Sequence, residues 1–295
     1  MRKLYKYFSN LDVDYFSNPS FKLASANTLN DPFETVLAKE LLTALELVTD
    51  KQSPSYKMFK RMFGEEAKLE QSYDTLFKMC GIISLSETQH NLLMWAHYAN
   101  QHKGLCVGYS SDVLDNVKFP RFVKIPVNKK PVKINYDSKK IFDFEYDLDY
   151  STDNDLFKTA LYKVLTTKGD DWIYEKEHRI ILPMNVADRL LVLKGGRVET
   201  EHEYYKDFDR RYIEKNKIEG FKISDATKPN HLYLLDIDPI HITDVYIGCK
   251  MSKVKATKLK ESISSNPKTK HIKVFRFKES QERFELEIDT EFNKD

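Results

Sequence analysis

Short runs of apolar residues, several of them alternating with polar residues, recur along the chain and predict β-strands. The runs are 4–8, 21–25, 80–84, 105–110, 178–182, 232–236, 245–248, 272–277 and 284–288. The last two alternate with period two and predict a closing hairpin. Residues 189–193 fit a short strand or a helix, and the Gly-Gly pair that follows them predicts a turn.

Longer stretches of helix-forming residues separate these strands. They cover 35–47, 56–79, 155–167, 199–218 and 251–262. No internal repeat, low-complexity linker or clear domain boundary interrupts the series. We therefore expect one α+β domain over 1–295, with a mixed or antiparallel central sheet and helical insertions, the largest at about 35–79.

One helix stands out because it concentrates aromatic and histidine residues between two predicted strands. The sequence of Met94–Gly104, MWAHYANQHKG, predicts a short helix that stops at the glycine. Trp95, Tyr98 and His102 are spaced i, i+3, i+7 and would share one helical face. Tyr and His carry polar tips that need partners, so we expect this face to form one wall of a functional site.

A second candidate is the turn Asn30-Asp31-Pro32. Side chains of Asn and Asp bond to nearby backbone, and Pro fixes φ, so this combination is strong turn chemistry. We expect Phe33 to anchor the turn in the core. Asp31 and Glu34 have two interpretations, as favourable charges at the start of the following helix or as members of a site.

The third candidate is Glu175-x-Glu177-x-Arg179. On a strand these three residues lie on one face, and the residues between them face apolar surroundings. Two carboxylates beside an arginine can serve as a general base or stabilise a developing cation. They can equally form a salt-bridge ladder on an exposed strand. Trp172 and Tyr174 just upstream are aromatic neighbours of the sort that line ligand pockets.

Metal and nucleophile chemistry find little support. His97, His102 and Cys106 have a ligand-like spacing, but residues five apart on a helix diverge by roughly 140°, so a shared zinc ion is not expected. The three cysteines, Cys80, Cys106 and Cys249, lie in apolar runs and are expected to be reduced and buried. No GxSxG, Walker A or GxGxxG motif is present.

Composition narrows the class further. The chain has 295 residues, of which 41% are hydrophobic and 31% charged, so a sizeable core and a hydrated surface are expected. No run of 18 apolar residues predicts a membrane span, and the N-terminal residues lack the pattern of a secretory signal. We expect a cytoplasmic protein with no membrane partner.

Charge is unevenly distributed although the formal net charge is only +2. The segments 118–140 and 250–278 are basic with interleaved Tyr and Phe, and 143–155 is acidic. The neighbouring basic and acidic blocks predict mutually screening surface. The alternative interpretation is a basic groove for nucleic acid or another phosphate-bearing partner.

Several segments together resemble one family of bacterial proteins, DUF2971, whose function is undefined. They are LYKYFS, FKLASANTLNDPFE, ISLSETQHNLLMWAHYANQHKGLCVGY, WIYEKEHRIILP and ITDVYIGCKMS. The positions that the resemblance marks are Tyr5, Lys6, Tyr7, Asn30, Asp31, Pro32, Phe33, Glu34, Trp95, His97, Tyr98, His102, Gly104, Trp172, Glu175, Glu177 and Arg179. The resemblance implies which positions matter and does not imply a reaction.

A second resemblance is to ADP-ribosyltransferases, which carry a basic residue on an early strand, Ser or Thr on a second strand and Glu on a late strand. Lys6, Ser25 and Glu175-x-Glu177 occur here in that order, although Lys6 replaces the usual Arg or His and no clear Ser-Thr-Ser is present. The resemblance implies NAD as substrate. Glu177 would hold the nicotinamide ribose and Glu175 would orient the acceptor.

By the same resemblance Tyr98 or Trp95 would stack on nicotinamide, and the protein would act as a bacterial toxin or antiviral effector. Two other functions stay open. One is nucleic-acid binding or processing, with Asp31, Glu34 and Glu177 as metal-binding acids if it were a nuclease. The other is a non-enzymatic sensor in which the aromatic helix is simply core.

The predicted site residues fall into two groups according to their role. The catalytic candidates are Glu177, Glu175 and His97, and the candidates for binding substrate or cofactor are Lys6, Tyr7, Ser25, Asn30, Asp31, Glu34, Trp95, Tyr98, His102 and Arg179. NAD is the expected small molecule, and no metal is expected.

Overall fold

A computed structural model describes most of the chain. The described residues are 3–35, 77–115, 128–139, 161–203 and 228–292, with 57, 60, 61, 64, 66, 74, 75 and 117. The strands are β1 Lys3–Phe8, β2 Ser20–Ser25, β3 Cys80–Ser86, β4 Leu105–Ser110, β5 Asn128–Lys133, β6 Asn135–Asp137, β7 Thr167–Gly169, β8 Glu177–Pro183, β9 Arg189–Lys194, β10 Arg197–Glu203, β11 His231–Asp236, β12 Ile242–Ile247, β13 Lys273–Glu279 and β14 Leu286–Ile288. Two α-helices lie wholly within the described residues, α1 Leu92–Tyr98 and α2 Lys253–Ser265, and residues 161–166 are also helical.

The main sheet has 12 strands and forks at β3. One edge of β3 pairs with β8 along its whole length. The other edge is shared, since β2 pairs with it at Gly81 and Ile82 and β1 pairs with it at Ser86. From this point one branch continues through β2, β11, β9 and β10, and the other through β1, β4, β12, β13 and β14.

The sheet is mixed but mostly antiparallel. The exception within it is the β12–β13 pair, which is parallel because α2 carries the chain back across the sheet. A separate two-stranded sheet, β6–β7, is also parallel. The predicted α+β class with a mixed or antiparallel central sheet is confirmed, and so is the closing hairpin, β13–β14.

Hydrophobic residues cover both faces of the sheet. On one face Leu4, Val107 and Val245 pack against Leu259 and other residues of α2. The opposite face carries the second cluster, in which residues of α1 pack on alternate residues of the same strands. Because side chains alternate along a strand, the branch of β1, β4 and β12 presents one face to α2 and the other to α1. Neither of these two helices is long and apolar enough to cross a membrane, nor is any other helix in the described residues.

The central helix is shorter than predicted. It starts after Asn91, whose side chain accepts hydrogen bonds from the backbone N–H groups of Leu93 and Met94, and it ends at Tyr98 instead of Gly104. The next residues, 100–102, have positive φ of 47°, 52° and 68°. The chain is therefore already in a left-handed turn before it reaches Gly104, and the predicted single face that Trp95, Tyr98 and His102 would share is not formed.

Gly104 has a role other than stopping a helix. Its N–H donates to the carbonyl of Ala99 at 2.8 Å. A Cβ added here would lie 2.1 Å from the carbonyl oxygen of Phe8. The glycine thus permits close contact between this turn and the end of β1.

Some of the other predicted elements are confirmed and others are wrong. Residues 189–193 are a strand, with a turn at Gly195-Gly196. The predicted helix 199–218 is wrong over 199–203, which form β10, because the turn pairs this segment with β9. The helical insertion at about 35–79 lies mostly outside the described residues, although 57, 60, 61, 74, 75 and 77–79 are helical.

The prediction for Phe33 is also wrong. The Asn30–Pro32 turn is present, with the Asp31 carboxylate accepting from the backbone N–H of Phe33 at 2.9 Å. Phe33 itself is 63% exposed, however, and the residue that is buried is Glu34. A charged side chain takes the inner position because a cationic partner is there to neutralise it.

Candidate functional site

A cavity of about 260 Å³ lies where β1 and β2 separate over β3. Its walls come from the segments that the sequence singled out, namely β1, the turn at 30–34, α1 and the start of β8. Its lining includes Tyr5, Lys6, Tyr7, Lys22, Asn30, Glu34, Ser84, Tyr98, Lys168, Glu175, Glu177 and Arg179. The fork opens this space because the two branches of the sheet diverge.

Five buried ionisable side chains form one end of the cavity. They are Glu34, Lys168, Glu175, Glu177 and Arg179, and each is at most 6% exposed. We call this group the buried ion cluster. Charges are almost never buried to this degree unless they are paired, so the geometry of the pairs decides what the cluster can do.

Arg179 is the centre of the cluster. Its Nε and Nη2 donate to the two oxygens of Glu177 at 2.8 and 3.0 Å, and Nη1 donates to the carbonyl of Leu165 at 2.9 Å. The guanidinium also lies 2.6 Å from Glu34. Period-two alternation on β8 positions Glu177 and Arg179 side by side, whereas Ile180 belongs to the opposite core.

The arginine determines the charge of Glu177. Burial by itself would raise the pKa of Glu177, but Arg179 and Lys168 outweigh it and lower that pKa to about 2. For Glu34, burial dominates and raises its pKa. The cluster thus holds one carboxylate that is ionised throughout the neutral range and a second that accepts a proton more readily.

Lys168 bridges all three carboxylates. Its Nζ lies 2.7 Å from Glu175, 3.3 Å from Glu177 and 3.4 Å from Glu34. The same ammonium group sits 4.5 Å from the centre of the Trp172 ring, within cation–π range. Burial lowers the pKa of Lys168, but the three carboxylates more than compensate and raise it.

Glu175 does not lie on the strand as predicted. It ends the 3-10 helix Asp170–Glu175, and Lys176 in left-handed conformation, with φ of 46°, separates it from β8. Its carboxylate still reaches the cluster and accepts from the Tyr98 hydroxyl at 2.6 Å. The amide of Asn30 donates to that same hydroxyl at 3.2 Å. The predicted convergence of helix, turn and late strand is therefore formed by a hydrogen-bonded chain.

Lys6 enters the fork from β1. Its Nζ donates to the carbonyl of Ser84 at 3.0 Å, in the part of β3 that lies between the β2 and β1 pairings. Burial lowers the pKa of Lys6 to about 8, with Lys22 lowering it further and Glu177 opposing both. At pH 7 the amine is therefore mostly protonated, and it loses its charge as the pH rises through about 8.

Eight of the thirteen predicted site residues line this cavity. They are Lys6, Tyr7, Asn30, Glu34, Tyr98, Glu175, Glu177 and Arg179. The five that lie outside it are Ser25, Asp31, Trp95, His97 and His102. The predicted exposed salt-bridge ladder is wrong for Glu175, Glu177 and Arg179, since all three side chains are buried.

The residues outside the cavity have identifiable surroundings. Trp95 is fully buried in the second core, where its indole N–H donates to the carbonyl of Gln89 at 2.7 Å and its ring stacks on His102. His97 is exposed beside Tyr174. Ser25 lies on the same face of β2 as the core residues Phe21 and Leu23, opposite to the face of Lys22 that lines the cavity.

Asp31 lines a neighbouring cavity of about 450 Å³. This space shares Glu34 and Lys168 with the first cavity, so the two spaces adjoin along the ion cluster. Within the described residues, no group of three or more His, Cys, Asp or Glu side chains has an arrangement that could hold a metal ion.

Lys168 and Lys22 were not predicted as site residues. Lys168 occurs in TKGDDW, a stretch without apolar periodicity, and nothing there predicts a buried lysine. The charge balance of the other site residues is the feature that could have indicated a second buried cation. Glu34, Glu175 and Glu177 together have three carboxylates, whereas Arg179 supplies only one positive charge. Burial of all four required a further cation.

Fold and site together define an α+β protein with a cavity of about 260 Å³ at a fork in its sheet, and one end of this cavity is the buried ion cluster. The model of one family, DUF2971, described as a protein of unknown function, matches residues 94–180. This match confirms the resemblance and covers most of α1 together with Glu175, Glu177 and Arg179. A comparison with curated proteins and one with solved structures found no match.

Proposed function

We propose that this chain is an enzyme that breaks the bond between nicotinamide and ribose in NAD, with water or an acceptor group taking the ADP-ribose. One observation carries the proposal, which is the buried Glu177 carboxylate, ionised at neutral pH, at the inner end of a cavity. A carboxylate held in a water-poor site stabilises a positive charge that develops next to it.

The chemistry follows from the carboxylates. When the glycosidic C–N bond breaks, nicotinamide leaves as a neutral molecule with the bonding electron pair, and the ribose becomes an oxocarbenium-like cation. Glu177 offsets this charge. Water or an acceptor then bonds to the ribose carbon and releases a proton, which Glu34 takes because burial raises its pKa.

The volume of the cavity suits one half of NAD and not the whole molecule. A volume of about 260 Å³ is below the usual range for drug-sized ligands, roughly 300–1,000 Å³, and suits the nicotinamide ribose half of the dinucleotide. Tyr5, Tyr7 and Tyr98 supply aromatic lining for the planar ring. The adjoining cavity of about 450 Å³ offers room for an acceptor.

A second candidate function is ligand sensing without a reaction. It is favoured by the pairing of Glu177, since both of its oxygens already accept hydrogen bonds from Arg179. A fully paired carboxylate can hold a pocket in shape without taking part in chemistry. Binding of NAD with no turnover would select this candidate. Nucleic-acid binding through the basic segments stays a prediction from sequence.

The test is NAD consumption by the purified protein, followed as release of nicotinamide with and without protein and nucleophile acceptors. Loss of an electrostatic contact to the transition state costs on the order of 10²–10³ in rate, and we expect this for Glu177→Gln. Glu282→Gln, an exposed position outside the cavity, is the matched control.

Glu177→Gln removes a charge from a buried ion pair, so a loss of activity in this variant can also come from unfolding. A second variant separates these two causes. Tyr98→Phe removes one hydroxyl and its bond to Glu175 while preserving the ring. We expect it to fold and to turn over NAD more slowly. An undiminished NAD pool in every condition, with a folded wild-type protein, would refute the enzymatic proposal.

A further inference from the structure

Two lysines face the fork from opposite branches of the sheet. Lys6 belongs to β1 and Lys22 to β2, and both line the cavity. They are close enough that the charge of Lys22 lowers the pKa of Lys6. The ionised groups that act on Lys6 are therefore Lys22 and, with the opposite sign, Glu177.

The position of Lys6 follows from the fork. Strand pairing of β3 passes from β2 at Ile82 to β1 at Ser86, and the Ser84 carbonyl lies between these pairings. The ammonium of Lys6 donates to that carbonyl at 3.0 Å, which anchors the side chain at the opening. An ammonium group has three N–H donors, and this hydrogen bond uses one of them.

Neither lysine has a carboxylate partner at ion-pair distance among the described residues. The three glutamates of the ion cluster are bound by Lys168 and Arg179 instead. Lys22 is exposed at the mouth, and Lys6 is only partly exposed behind it. The two neighbouring cations repel each other, and a bound anion would relieve that repulsion.

We propose that Lys6 and Lys22 form a subsite for a phosphate group, and that this subsite orients the substrate. The inference rests on the proposed function and deepens it. The pyrophosphate bridge of the dinucleotide lies at the basic fork, and the ribose lies toward Glu177. The cavity is thus polarised along its length, with free positive charge at the mouth and ionised carboxylates at the inner end.

The subsite is tested by binding of ADP-ribose, measured by calorimetry, because this probe keeps the diphosphate and lacks nicotinamide. Loss of a charge-assisted hydrogen bond weakens binding by roughly tenfold or more, and we expect this for Lys6→Gln and for Lys22→Gln. Lys253→Gln, an exposed lysine on α2 away from the cavity, is the control and should bind normally. Adenosine, which has no phosphate, should bind equally weakly to all variants.

A pH series separates electrostatic binding from a structural role. Lys6 carries its charge below a pKa of about 8, so wild-type affinity for ADP-ribose should fall as the pH rises from 7 to 9. Lys6→Arg keeps the charge over this range and should bind without that fall. Lys6→Gln should bind weakly at both ends.

The outcomes distinguish this inference from the proposed function. Tight binding of ADP-ribose that depends on both lysines, without NAD consumption, would retain the phosphate subsite and reject the reaction. NAD consumption with unchanged KM in Lys6→Gln and Lys22→Gln would do the reverse. Equal affinity of folded wild type and both glutamine variants for ADP-ribose would overturn the subsite.

Discussion

Arg179→Met tests how much the buried ion cluster contributes to the free energy of unfolding. Methionine fills similar space but removes the guanidinium, which is 1% exposed and has hydrogen bonds to Glu177 and to the Leu165 carbonyl, with Glu34 also in contact. After the change, Glu177 and Glu34 stay buried with Lys168 as their shared cation.

The expected cost comes from leaving buried charge unpaired. Removing one partner of a buried ion pair typically destabilises a protein by about 3–5 kcal/mol. The control is Arg189→Met, because Arg189 makes a similar bidentate pair with Asp236 on the surface, with contacts of 2.7–3.2 Å. Exposed pairs contribute at most about 1 kcal/mol, and this variant should lose no more.

The assay is urea unfolding at pH 7, with the free energy of unfolding compared among wild type and the two variants. A double variant, Arg179→Met with Glu177→Gln, removes both the cation and one buried anion and should recover part of the loss. A loss in Arg179→Met no larger than in Arg189→Met would refute the reasoning.

The pH dependence gives an independent check. The folded pKa of Glu177, about 2, is below its ordinary value, so Glu177 stabilises the fold above pH about 4 and loses this contribution as the pH falls toward 2. In Arg179→Met, burial raises the pKa of Glu177. The difference in stability between wild type and Arg179→Met should therefore narrow as the pH is lowered from 5 to 3.

Two further predictions concern backbone packing and thiol chemistry. Gly104→Ala should lower the free energy of unfolding by at least about 1 kcal/mol, because the new Cβ would lie 2.1 Å from the Phe8 carbonyl oxygen. The control is Gly169→Ala, whose Cβ has its nearest contact at 3.8 Å and which should have little effect. Equal melting curves of the two variants would contradict this prediction. Iodoacetamide at pH 8 should label native protein slowly, because burial raises the pKa of Cys80 to about 12 and that of Cys249 to about 11. All three cysteines should be labelled in denaturant, and rapid native labelling at Cys80 by mass spectrometry would show that its strand is not buried.

Local pattern was enough to predict most strands and the fold class. Alternation of apolar and polar residues is set by the pleat, so runs such as 105–110 and 232–236 show their conformation in the sequence itself. The helix at Met94–Gly104 was only half correct. Its start follows from Asn91, but it ends at Tyr98, before the left-handed residues 100–102, and the local pattern does not indicate this early end.

Sequence spacing likewise identified Glu177 and Arg179 as neighbours, since period two on a strand needs no tertiary information. The buried ion cluster is different, because Glu34 and Lys168 are separated along the chain by 134 positions and meet only after the sheet has formed. Burial of charge depends on whether partners arrive from elsewhere in the chain. Sequence therefore indicated which side chains carry chemistry, and the tertiary structure alone decided that they are buried, paired and positioned at a fork in the sheet.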